Sequence, residues 1–133
     1  MKTRMLFGFV AAALIAALPA AAHHSQTAFY DATKKVEIAG TVSSFVFKNP
    51  HVLVVVDVSD AAGQKVQWQV EMGSTTLLTR QGWTPESIKP GEGITVTGQP
   101  SKAEGTHGIC CAQISRADGT PFVALRGRGR GNQ

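Results

Sequence analysis

The side chains best able to hold a metal or move a proton fall into three groups: His23-His24, His51 in Asn49-Pro50-His51, and His107 shortly before Cys110-Cys111. If the chain is cut before His23, a free amine and an imidazole meet at one end. Together they can chelate Cu(II) in a small ring, with His24 or a remote imidazole, His51 or His107, completing a tetragonal nitrogen set. The common terminal copper motif with histidine third is excluded by Ser25. His51 follows a proline that biases Asn49 to extended backbone, and it stands where a strand begins. His107 with a thiol is also metal-capable. Strand alternation, however, sends Cys110 and Cys111 to opposite faces, so only one thiol can join it and a bond between the two is not expected. Trp68, Trp83, Phe45 and Phe47 are flat enough to stack on a ligand, but their spacing reads as core. Glu71 lies on the polar face of its strand and is read there without a partner. No phosphate loop, paired acids or Ser-His-Asp order is present, so binding rather than catalysis is expected.

The address precedes these residues. Lys2 and Arg4 introduce an apolar run from Met5 to Leu18, followed by Pro19 and small residues at 20 and 22. This is the pattern of a secretory signal peptide over 1–22. The run is shorter than the roughly 20 residues that span a bilayer, so no transmembrane segment is expected after cleavage. A periplasmic or secreted location follows. The remaining 111 residues make one domain.

The chain carries 13 basic and 9 acidic residues; losing Lys2 and Arg4 leaves 11 against 9. Arg126, Arg128 and Arg130 belong to an Arg-Gly tail, so the body is near neutral. No basic face is evident, and nucleic acid is not expected as a partner. The tail at 126–133 reads as disordered, with weak contact to anionic surfaces as its one binding prospect.

These residues need a scaffold, and its period is two. After an arm at 23–35, Val36, Ile38, Gly40 and Val42 share a face. The inward set then shifts to Phe45 and Phe47, which implies a bulge near Ser43-Ser44 or a sharp coil at Gly40. A second strand runs from His51 to Val58, and a third alternates Val66, Trp68, Val70 and Met72 with polar residues. Ser74 caps a short helix over Thr75–Gln81 with Leu77 and Leu78 inward, and Thr84–Ser87 reads as another helical turn. Strands follow at Ile94–Gly98, Gly108–Arg116 and Phe122–Leu125. Three strands, a helix and further strands within 36–125 predict a small OB-like Greek-key β-barrel, with a β-sandwich as the alternative.

Several segments together carry a resemblance. They are Ala22-His23-His24-Ser25, Tyr30-Asp31, Glu37-Ile38-Ala39-Gly40-Thr41-Val42, Asn49-Pro50-His51, Val56-Asp57-Val58, and Gly82-Trp83 with Ile88-Lys89-Pro90-Gly91. With them the chain resembles, over about residues 20–126, a domain-of-unknown-function family of small exported bacterial proteins. The resemblance implies a periplasmic β-barrel of unassigned activity. The chain departs from it at Cys110-Cys111 and in its Arg-Gly tail. The expected role is thus a periplasmic binding or accessory protein for an unknown small ligand or envelope protein. The alternative is a copper carrier or redox protein using the terminal histidine.

Overall fold

A computed structural model describes residues 26–123. The leader, His23, His24, positions 124–125 of the last expected strand, and the Arg-Gly tail lie outside the described residues. A one-turn helix α1 (Gln26–Phe29) precedes β1 (Val36–Val46), β2 (Leu53–Ser59), β3 (Lys65–Glu71), α2 (Thr75–Arg80), β4 (Gly93–Pro100) and β5 (Gly108–Arg116).

The strands close into one barrel in the order β1-β2-β3-β5-β4, with α2 in the connection between β3 and β4. β3 and β5 pair in parallel and every other pair is antiparallel. This is the OB-like Greek-key barrel, and closure rules out a sandwich of two open sheets. Closure depends on β1 serving two neighbours. Residues 36–41 pair with β4, whereas 41–46 pair with β2. Gly40 sits at that corner, where a Cβ would run into the Asp57 carbonyl oxygen and lie 2.9 Å from Val56 Cγ1. The need for glycine here is space, not a left-handed backbone. The expected bulge falls between Val42 and Ser44, and it switches the inward set from Ile38 and Val42 to Phe45 and Phe47.

Val52, Val54, Val56, Val70, Val96 and Ile109 are fully buried, while Leu78, Trp83 and Ile88 belong to the same core. Ser74 caps α2 by accepting a hydrogen bond from the Leu77 amide at 3.3 Å. Leu78 is buried but Leu77 is 50% exposed, against the expectation that both face inward. Neighbours on a helix point about 100° apart, so one narrow interface takes only one of them. Thr84–Ser87 forms a single turn rather than a helix, closed by the Ser87 amide donating to the Thr84 carbonyl at 3.1 Å and by the Thr84 amide donating to the Ser87 hydroxyl at 2.8 Å. Of the last expected strand, the described residues Phe122 and Val123 are not in a strand, and the preceding Pro121 forms an isolated bridge with Ser115. No helix among the described residues is long and apolar enough to cross a membrane.

Candidate functional site

Glu71 ends β3 and pairs with Leu53, the first residue of β2. His51 lies two residues before Leu53, so the hairpin register brings it toward the Glu71 carboxylate. His51 Nδ1 stands 2.9 Å from Glu71 Oε1. The other carboxylate oxygen, Oε2, accepts the Tyr30 hydroxyl at 2.9 Å. One carboxylate thus gathers side chains from the start of β2 and from the segment before β1.

Tyr30 is carried there by α1, which is tied to the end of β4. The Lys102 amide donates to the Phe29 carbonyl and the Asp31 amide to the Pro100 carbonyl, each at 2.9 Å, and Lys102 Nζ donates to the Thr27 carbonyl at 2.6 Å. Tyr30 also forms an isolated bridge with Ser101. These elements enclose a cavity of about 580 Å³ lined by Gln26, Phe29, Tyr30, Pro50, His51, Glu71 and Ser101. Its walls join apolar surface to a few polar groups, the usual make-up of a small-molecule site.

The electrostatics are defined by Glu71. Burial raises the Tyr30 phenol above its ordinary value, and the Glu71 carboxylate adds to the shift, so Tyr30 stays a proton donor. A hydrogen bond from His51 to Glu71 requires the proton on Nδ1. In neutral imidazole that leaves the Nε2 lone pair open as an acceptor or ligand. The His51 side chain is 44% exposed, so a solute can reach it.

The Asn49-Pro50-His51 motif divides its work. Asn49 Oδ1 accepts from the Thr75 amide at 3.1 Å and the Thr75 hydroxyl at 2.8 Å, fixing the first turn of α2. The Asn49–Pro50 peptide is cis. His51 faces Glu71. His107 does not line this cavity; its ring lies against Trp68, 5.0 Å between centroids, and its carbonyl accepts the Gln69 amide at 2.8 Å. Trp68 itself packs on the core. Among the described residues no group of three or more His, Cys, Asp or Glu stands close enough to hold a metal.

Two readings of side-chain placement change. Glu71 has partners after all, and the hairpin register was the signal: with a turn at Asp60–Gln64, position 71 falls opposite 53. Gln26, Phe29 and Ser101 join only through tertiary docking and carry no local signal, and Tyr30 stands out in the sequence only as part of the resembling segment Tyr30-Asp31. The second correction concerns the cysteines. Cys111 has a left-handed φ of 54°, and the pairing of β4 with β5 shifts between Thr97 and Gln99. Strand alternation is broken there, so the sulfurs lie side by side, 2.8 Å apart, rather than on opposite faces.

Residues 12–112 match the model of a family described as a family of unknown function, DUF6152. No curated protein matches the chain. Among solved structures, the chain is similar to a crystal structure of the mitochondrial single-stranded DNA binding protein Rim1 of S. cerevisiae. That likeness has 14% identity and a TM-score of 0.49, covering 63% of this chain and 92% of that one. A second crystal form gives 15% identity and a TM-score of 0.46, covering 63% and 93%. The exclusion of nucleic acid as a partner is therefore corrected. It rested on a near-neutral body, yet proteins described as single-stranded DNA binding are among the similar structures.

Proposed function

The chain belongs to DUF6152, a family of unknown function, and we propose that it is an exported binding protein that takes a small cationic ligand into the mouth of its barrel. The observation that carries this reading is the cavity where Glu71 is the one acidic side chain among the described lining residues, set beside the aromatic rings of Phe29 and Tyr30. A carboxylate next to aromatic faces favours an ammonium group joined to an apolar body. His51 Nε2 adds an acceptor for an N–H or O–H of the same ligand. Export is supported by the basic start, the apolar run Met5–Leu18 and the small residues at 20 and 22.

The test compares benzylammonium, benzyl alcohol and benzoate by amide chemical-shift mapping. Benzylammonium is expected to shift Gln26, Tyr30, His51 and Ser101, benzoate to leave them unmoved, and Glu71→Gln to abolish the preference. Equal responses to the three probes, or shifts elsewhere on the barrel, would overturn the reading.

One observation favours copper as a second reading. A carboxylate that holds Nδ1 of an imidazole and turns Nε2 outward is the arrangement that orients metal-ligating histidines. His51 fits that role and supplies one nitrogen. The other donors would come from His23 and His24, only a few residues before Gln26 of the cavity wall; three residues reach at most about 11 Å. Bound Cu(II) would add an electrophilic or redox centre at the mouth. Cu(II) titration of protein starting at His23, followed by electron spin resonance, is expected to show nitrogen ligation that weakens in His51→Ala. An unchanged spectrum in that variant would remove His51 from the set.

A further inference from the structure

The two cysteines are the reactive pair that the cation site leaves unused. Cys110 is fully buried and Cys111 is exposed. Their sulfurs approach to 2.8 Å, inside van der Waals contact, whereas adjacent residues of a regular strand would point apart. The approach is built into the backbone. Cys111 adopts φ 54°, which non-glycine residues rarely take, and the β4–β5 register slips opposite it. Gly98 makes the slip possible, since a Cβ there would lie 2.6 Å from the Cys110 carbonyl oxygen. Left-handed backbone at a non-glycine residue persists only where its surroundings hold it, and such positions gather at functional sites.

We propose that Cys110 and Cys111 are a redox-active dithiol that closes to a vicinal disulfide by exchange with a small or protein-borne disulfide oxidant. This proposal stands apart from the cation site. A metal chelate would need the sulfurs to move apart, whereas a disulfide needs them to close to about 2.05 Å. Solvent access makes Cys111 the attacking thiol. Its thiolate attacks one sulfur of the oxidant, forming a mixed disulfide and releasing one thiolate. Cys110 Sγ then attacks Cys111 Sγ, forming the intramolecular bond and releasing the second thiolate. The two protons lost by the cysteines end on the two released thiols; the dithiol is oxidised and the oxidant reduced, two electrons each way. Burial and the neighbouring Cys111 push the Cys110 thiol up to about 12, which keeps it protonated in the reduced pair and leaves the first attack to Cys111. Loss of the Cys111 proton in the first step also ends the hydrogen bond that its Sγ donates to Gln26 Oε1 at 3.4 Å, on the cavity wall.

The intact protein is equilibrated in a series of reduced-to-oxidised glutathione ratios, quenched with acid, alkylated and weighed whole. The expected result is one transition from two alkylated thiols to none, with loss of two hydrogens, no glutathione adduct and no dimer. Cys110→Ser should stop at a glutathione adduct on Cys111, and Cys111→Ser should take up none. The unaltered protein decides the matter even if a variant misfolds. Accumulation of an adduct or a Cys111-linked dimer in place of the intramolecular product would overturn the proposal. So would persistence of both free thiols under ratios that modify Cys110→Ser.

Discussion

The interior of the barrel and its mouth are built on different rules. In the interior, one residue type at one period suffices: Val52, Val54 and Val56 are all fully buried on alternate positions of one segment. At the mouth, two polar side chains, Tyr30 and His51, meet on the single carboxylate of Glu71. The interior tolerates exchange of one apolar side chain for another of similar volume. The mouth does not, because each partner is specific and the chain segments that supply them are distant. Stability should therefore reside in the first region and recognition in the second.

The largest effect expected is in the interior. Ile109→Ala, at a fully buried position, should cost about 2–5 kcal/mol in denaturant unfolding while leaving the Tyr30 titration unchanged. A change in that titration would mean that mouth and interior are not separable. Next is Gly40→Val, which forces atoms into the β1 corner against the Asp57 carbonyl and should cost about 1–3 kcal/mol. An unchanged melting midpoint would contradict the corner assignment.

How legible each region is follows from the same difference. Period-two alternation marks Trp68 and Val70 as core-facing, and the break in that period places the β1 bulge within a residue of Ser43. Both are local signals. The OB-like order of elements follows from them, and the closed barrel bears it out. Of the mouth, only His51 stands out by residue type. Glu71 looks unpartnered until β2 and β3 are placed in register, and Tyr30 reaches it only after α1 docks on β4. The side-by-side sulfurs escape notice because they depend on one left-handed residue, which no alternation pattern signals.

Smaller effects sharpen the mouth itself. Tyr30→Phe should cost about 0.5–1.5 kcal/mol, the usual worth of one hydrogen bond. Burial and Glu71 raise the Tyr30 phenol, so its contribution is fully present below the ordinary value near 10 and is lost as pH rises above it. Stability of the unaltered protein should accordingly fall in strong alkali. The Cys110 thiol, also raised, contributes in the same direction, so Tyr30→Phe should flatten only part of the fall. Tyr30 is the one tyrosine in the chain, and its phenolate absorbance can be followed directly. It should still be largely absent at about pH 11, where an ordinary tyrosine is mostly ionised. Glu71→Gln should bring the ionisation back toward the ordinary range.

The central claim is that Glu71 organises the mouth by holding both Tyr30 and His51. Nitrogen-15 resonance of the His51 ring at about pH 8, where an ordinary imidazole is neutral, tests it most directly. The account predicts a proton on Nδ1 and a bare Nε2 in the unaltered protein, and loss of that preference in Glu71→Gln. A proton on Nε2, or the same tautomer mixture in both proteins, would contradict it.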